Sequence, residues 1–350
     1  MTSSDQSYRR RLSRALLSTA MVALLATSAA AQDRNLALGS VSSTSGVYPF
    51  AVALAAAITE ANNGLNVTTV EGGGGFDHAR LMRQGVVDFS TSGSPAVVRA
   101  VTTGTSGFAK DGAWDGPRLM FMRNLNVTRI YVRADVAKAE VIATWADLAG
   151  KAVAPGVPGT RDMKRIMAAN ELLATGVSML PASLEDSTAR LSEGRVAAVV
   201  KGSPNDRFDP AMQAVHFSRP LTVIGFSAEE AAKIAAQNQL NTFVETPQGG
   251  IRDVPEVGPL LEMSSPVMVM SSSGLAQDIG YAMAVAVVNG WDKIGEAYPA
   301  AAGVHPVRDV ILQIPEIDGL YLHAGVVQYA VENGIDVPER LIPPEYTPVR

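Results

Sequence analysis

The chain has 350 residues, no cysteine and a formal charge of −5 at neutral pH. Without its basic first 31 residues it keeps 25 basic and 33 acidic residues, a formal charge of −8, which argues against nucleic acid or an anionic membrane surface as partner. About two domains are expected at this length, and a chain of this size can bury a core without disulfides.

Residues 1–31 read as an export signal. Arg9, Arg10, Arg11 and Arg14 form a basic start, Ala15 to Ala26 an apolar stretch, and Ala29-Ala30-Ala31 a small-residue cleavage site. The apolar stretch is short for a membrane span. Cleavage near Ala31 implies a periplasmic protein. The arginines fit either the general or the twin-arginine export route.

An apolar run, Leu36 to Leu38, then enters a loop, Gly39 to Gly46, built almost wholly of Gly, Ser and Thr. Phe50, Ala53, Leu54, Ala57 and Ile58 follow at helical spacing from Pro49. Strand, small-residue loop and helix N-terminus in that order suit an anion, because first-turn N–H groups are free and the helix dipole is positive there. Ser43, Thr44, Ser45 and Gly46 are candidates for such contacts. Tyr48 is another, as hydroxyl donor or apolar lid. The same loop also fits an ordinary βα turn that binds nothing.

The pattern repeats twice. Val67 to Val70 alternates as a strand, reaches Glu71 and opens into Gly72-Gly73-Gly74-Gly75, before a helix with Phe76, Ala79, Leu81 and Met82. Val86 to Ser90 is the next strand and ends in Thr91-Ser92-Gly93-Ser94-Pro95. Alternating strands and helices predict a parallel sheet with its ligand at the carboxyl ends of the strands. Gly73, Gly74, Gly75, Ser92, Gly93 and Ser94 are therefore candidates. No Gly-Lys-Ser/Thr follows the glycine run, so it is not a P-loop, and it lacks a dinucleotide fingerprint.

Residues 103–117 read as a surface excursion. Two short strands are expected at Leu119–Arg123 and Arg129–Arg133, with the crossover into a second α/β domain between them. That domain has a strand at Lys151–Ala154, a loop from Pro155 to Arg161, a helix over Asp162–Ala174, and a strand at Val196–Val200 ending in Lys201-Gly202-Ser203-Pro204. Ser227, followed by Glu229 and Glu230, predicts a capped helix start. Val267–Met270 returns to the first domain. An apolar helix over Leu275–Trp291 and another over Leu320–Gly334 complete it, and Pro338 onward reads as a loose tail. The expected division is 32–128 plus 264–350 for lobe I and 129–263 for lobe II.

On the second lobe, Thr160 and Arg161 stand at a helix start, where a guanidinium can grip a carboxylate bidentately. Arg161 can equally face solvent and pair with Asp162 or Asp186. Lys201 and Ser203 end an apolar strand. Lys201 can hold a second carboxylate or snorkel to the surface. Arg129 and Tyr131 fit a buried structural role, and His323 fits helix-start packing. The four histidines offer no metal-ligand spacing, and no Gly-x-Ser-x-Gly nucleophile elbow is present, so no cofactor, metal or catalytic set is expected.

Several phrases resemble the TAXI family, solute receptors of TRAP transporters. Ser43-Thr44-Ser45-Gly46-Val47-Tyr48-Pro49 resembles the family's first loop. Gly64-Leu65-Asn66-Val67-Thr68-Thr69-Val70-Glu71 and Gly85-Val86-Val87-Asp88 resemble its next strands. Val132-Arg133-Ala134-Asp135, Trp145 to Lys151, Leu322-His323-Ala324-Gly325 and Tyr329 to Gly334 match later ones in order. Two departures concern the ligand: Thr91-Ser92-Gly93-Ser94 replaces the family's Gln-Ser-Asp, and Lys201 stands where the family is apolar or aromatic. The resemblance implies a two-lobed, type II periplasmic-binding-protein-like α/β fold. Each lobe would be a mostly parallel sheet flanked by helices, joined to the other by hinge strands. It also implies capture of a small anionic solute, a carboxylate or acidic amino acid such as glutamate, and delivery to TRAP membrane permease subunits. A receptor of an ABC importer, a sensor input module and an enzyme on the same fold are the competing readings.

Overall fold

A computed structural model describes residues 34–43, 45, 47–156 and 160–349. The expected leader, Thr44, Gly46 and the loop residues Val157, Pro158 and Gly159 lie outside the described residues.

The chain opens as predicted, with three strand–loop–helix units. They are β1 (Arg34–Ser40) with α1 (Tyr48–Glu60), β2 (Leu65–Glu71) with α2 (Gly75–Arg83), and β3 (Phe89–Gly93) with α3 (Pro95–Thr103). β1 pairs in parallel with β2 on one side and with β3 on the other, so all three carboxyl ends share one edge. Phe50, Leu54 and Ile58 of α1 are fully buried, as the 3.6-residue spacing requires.

The two short strands expected at 119–123 and 129–133 are a single strand, β4 (Pro117–Arg133). Its antiparallel partner β10 (Leu260–Ser272) extends seven residues earlier than the expected 267–270 segment. Neither shows period-2 alternation, because both are buried on both faces for most of their length. These two strands form the continuous middle of the sheet.

Beyond β4 the second half is built from α4 (Ala134–Glu140), β5 (Ala152–Ala154), α5 (Arg161–Leu173), β6 (Ser178–Met179), α6 (Leu184–Ser192), β7 (Ala198–Pro204), α7 (Pro210–Ser218), β8 (Leu221–Ile224), α8 (Ala228–Gln237) and β9 (Phe243–Thr246). After β10 come α9 (Gln277–Asn289), α10 (Trp291–Ala297), α11 (Pro306–Leu312) and α12 (Ala324–Glu332). The sheet order is β2-β1-β3-β10-β4-β7-β5-β6, with β8 also on β4 and β9 on β10.

Buried apolar side chains fall into one large core and two smaller ones. The large core joins β1–β3, residues 119–125 of β4, residues 268–270 of β10 and the C-terminal helices. The smaller two lie on opposite faces of the second half's sheet. Ile130, Val153, Ile166 and Val200 belong to one, and Tyr131, Val199, Phe208 and Met212 to the other. The chain is thus two lobes threaded by the same pair of long strands.

Two local expectations differ. The 103–117 segment is tied down: Phe108 is fully buried, and the Arg80 Nε donates to both Asp111 oxygens at 3.1 Å. The tail is not loose. Leu341 is fully buried, the Leu322 N–H donates to its carbonyl at 2.9 Å, and Arg118 forks onto Glu345 at 2.7 and 3.0 Å. His323 does start α12 as a packed cap: its Nδ1 accepts from the Gly325 N–H at 3.1 Å, and its Nε2 meets the Leu275 carbonyl at 2.8 Å.

Candidate ligand-binding cleft

The three loops of the first lobe are fastened to one another. The Ser43 N–H donates to Glu71 Oε2 at 3.1 Å, joining the first to the second. Hydrogen bonds from Ser43, and a further one from Tyr48, hold the Glu71 carboxyl below its ordinary pKa. Gly75 at the start of α2 runs so close to the third loop that a Cβ would lie 2.6 Å from the Ser92 carbonyl oxygen. Gly73 sits at φ +82°, which a side chain would strain. Gly93 is pressed on β10, where a Cβ would come within 2.8 Å of the Met268 carbonyl oxygen. Ser94 caps α3, accepting from the Val97 N–H at 3.2 Å. Ser45 turns its hydroxyl to the Val47 N–H at 3.3 Å.

From the second lobe, α5 approaches with its N-terminus. Thr160 caps it, accepting from the Met163 N–H at 3.4 Å. A crevice of about 170 Å³ lies between the lobes, lined by Ser94, Pro95 and Ala96 on one side, Arg161 and Arg165 on the other, and Ser264, Ser265 and Pro266 of β10 at its base. The N-termini of α3 and α5 therefore converge on one space, each bringing a positive dipole end.

Three arginines belong to this region. Arg161 is exposed and engages neither Asp162 nor Asp186: Asp162 accepts from the Thr128 hydroxyl at 2.7 Å, and Asp186 pairs with Arg190. Arg165 donates through Nη1 to the Ser264 carbonyl at 2.9 Å and the Ser265 hydroxyl at 2.6 Å, while its buried Nη2 has no hydrogen-bond partner. Burial pushes the Arg165 pKa down to about 10, with the Arg161 charge adding to the effect. Arg123 of β4 is only 6% exposed. It donates to the Asn124 side chain at 2.8 Å and the Thr91 carbonyl at 3.1 Å, and lies against the rings of Phe50 and Tyr298. Burial first, and the Arg161 charge after it, lower its pKa too. None of the three is ion-paired to a carboxylate among the described residues.

Lys201 and Ser203 are not brought to this crevice. Odd-numbered residues of β7 face the helix α7 side, whereas Gly202 faces α5, where a Cβ would meet Asp162 Oδ2 at 2.4 Å. Ser203 is 1% exposed, with its hydroxyl 2.6 Å from the Tyr131 hydroxyl. Lys201 pairs with Asp209 at 3.5 Å. Arg161 and the Lys201–Ser203 pair stand on opposite faces of one sheet, a separation fixed by strand parity.

Arg123 and Arg165 were not among the residues singled out in the sequence. Each had a signal. Arg123 closes the apolar run Leu119 to Met122, a costly place for a charge. Arg165 lies four residues after Arg161 and so shares its helix face.

A bilobal α/β body with two shared long strands and a polar crevice between its halves defines the two-lobed solute-binding-protein class of fold. The chain belongs to the NMT1-like family, whose profile matches residues 38–334. No curated protein matches it in sequence. Among solved structures it is similar to the periplasmic sulfonate-binding protein SsuA from Methylobacillus flagellatus KT, at 13% identity and TM-score 0.49 over 91% of this chain and 98% of that one. It is also similar to the periplasmic aliphatic sulphonate binding protein SsuA from Escherichia coli, at 14% identity and TM-score 0.44 over 90% and 94%. A polar amino acid ABC uptake transporter substrate binding protein from Streptococcus thermophilus follows, at 12% identity and TM-score 0.42 over 75% and 85%.

Proposed function

We propose that the protein is an extracytoplasmic solute receptor that captures a small organic anion between its lobes and performs no chemistry on it. The observation that carries this reading is the placement of Arg161 and Arg165, neither ion-paired to a carboxylate among the described residues, at a crevice that two helix N-termini also face, with Arg123 near enough to feel the Arg161 charge. A buried guanidinium nitrogen without a partner is costly, and a carboxylate placed against it removes that cost while forming charge-assisted hydrogen bonds.

The lobes divide at 128/129 and 263/264, inside β4 and β10, and the hinge works there. Ligand contacts to both α3 and α5 are complete only when the lobes approach, so the anion favours the closed form. Micromolar or tighter binding corresponds to about 8 kcal/mol or more. Ser94, Pro95 and Ala96 line the first wall, with the Ser43, Ser45, Tyr48, Gly73 to Gly75 and Ser92 to Gly93 candidates on the same strand edge behind it, and Arg161 and Arg165 line the second beside Thr160. The TAXI-like phrases support a carboxylate or acidic amino acid as solute, a TRAP permease as partner and a periplasmic location.

A thermal-shift and calorimetric panel of glutamate, succinate and 2-oxoglutarate against neutral sugars and amides tests the solute class. Stabilisation by an acid that is lost in Arg161→Ala and in Arg165→Ala is the expected result. A response to neutral solutes alone would overturn the anion reading. Uptake reconstituted with a TRAP permease, rather than with an ATP-driven importer, tests the partner.

A further inference from the structure

His78 has no role in the reading above, yet it sits where the three loops of the first lobe begin. Its side chain is sealed from solvent. One ring nitrogen, Nε2, is 2.8 Å from the Gly72 carbonyl oxygen, and the other, Nδ1, is 2.7 Å from the Ser90 hydroxyl. The ring packs on Gly39, where a Cβ would come within 3.0 Å of it. It thus touches the end of β1, the residue after β2, and β3.

We propose that His78 is a positioning residue for the anion-binding edge, acting as a neutral imidazole held in one tautomer. A carbonyl oxygen only accepts, so Nε2 carries the hydrogen. Nδ1 of the neutral ring then accepts from the Ser90 hydroxyl. The Ser90 oxygen in turn accepts from the Ser92 N–H at 3.0 Å. One end of this relay fixes the carbonyl that precedes Gly73 to Gly75. The other fixes the turn into Ser94, Pro95 and Ala96, which line the crevice. Protonating Nδ1 would turn it into a donor and force the Ser90 hydroxyl to find another acceptor within a buried site.

Burial lowers the His78 pKa against the Gly72 and Ser40 backbone and the Asp77 carboxylate, which oppose that shift. Asp77 is the charged group acting on the ring; the Gly39, Gly72 and Ser90 contacts bring none. Because the folded pKa lies below the unfolded one, the contribution of this relay is complete above the unfolded value of about 6.5 and is lost as pH falls.

The test is nitrogen-15 NMR of the full chain beside calorimetry with L-glutamate and succinate as probes. His78 should show the Nε2–H tautomer and stay neutral where free histidine is half protonated. His78→Phe should fold, move the amide signals of Gly73, Gly74 and Ser92, and weaken probe binding by about ten-fold or more. His78→Gln, which restores a donor towards Gly72, should recover part of both. An Nδ1–H tautomer, an ordinary titration, or wild-type amide positions and affinity in His78→Phe would each overturn the proposal. If His78→Phe does not fold, tautomer and titration in the wild type still decide. The inference rests on the anion reading only for its binding arm: if the wild type binds no anion, that reading fails while the tautomer and amide shifts still judge His78.

Discussion

Arg129 on β4 and Glu262 on β10 are both sealed from solvent, and each satisfies the other. Nε and Nη2 of Arg129 donate to the two carboxylate oxygens at 2.8 and 3.0 Å. Its remaining N–H groups reach the carbonyls of Pro204, Arg207 and Asn205 at 3.2, 2.7 and 2.8 Å. The Thr246 hydroxyl completes Glu262 at 2.6 Å. Removing one charge strands the other in a dry site. Arg129→Ala should cost about 3–5 kcal/mol in urea unfolding, whereas Arg129→Met with Glu262→Met should recover much of it. The Arg118–Glu345 pair is governed by pH. Burial alone would raise the Glu345 pKa, and the Arg118 fork more than offsets that, leaving it below the ordinary value. Its contribution is therefore present above the unfolded pKa and lost as pH falls through the folded one. Glu345→Gln should lower the melting temperature at pH 7 and leave it little changed at pH 3.

At the scale of single elements, two helix starts behave differently. α8 begins with a complete capping box: Ser227 Oγ accepts from the Glu230 N–H at 3.2 Å, and the Ser227 N–H donates to Glu230 Oε2 at 2.7 Å. Ser227→Ala should cost about 1 kcal/mol by chemical denaturation and leave anion affinity unchanged, since Ser227 starts α8 whereas the crevice is lined past its other end, by Asn238. α2 has a glycine N-cap with no side chain of its own, only Asp77 reaching back to the Gly74 N–H at 3.1 Å, and it begins on a glycine that touches another loop. In Gly75→Ala the added Cβ meets backbone at Ser92 and the Val97 side chain, which flank the crevice-lining Ser94 to Ala96 on either side. Its expected signature is a loss of glutamate affinity on calorimetry larger than its loss of thermal stability.

For the molecule as a whole, β4 and β10 are the long strands that send fully buried residues into the cores of both lobes. Rotation of one lobe against the other is therefore concentrated in two adjacent strands. Arg165 reaches from α5 to the Ser264–Ser265 stretch of β10, so a ligand on its free Nη2 is coupled directly to the hinge. Small-angle scattering should show a reduced radius of gyration on adding a binding anion, and no reduction in Arg165→Ala. A radius unchanged at ligand saturation would contradict closure.

Much was legible from residue order. The three Gly/Ser loops, their shared edge, the helix starts at Pro49, Arg161 and Ser227, and the packing role of His323 follow from local rules: small residues free backbone N–H groups, caps satisfy first-turn donors, and parallel strands align their carboxyl ends. What the sequence could not decide depended on partners distant in the chain. The single 17-residue β4 read as two strands because burial on both faces removes the alternation that marks a strand. By sequence Lys201 and Ser203 are companions of Arg161; the register of β7 sets them on the other face. The tail looked free because its anchor, Arg118, lies 227 residues away. The gathering of Arg161 and Arg165, with Arg123 near them, belongs to the same category. Each is an ordinary charge in its own segment, and only the packing of two lobes along shared strands brings like charges this close to one crevice.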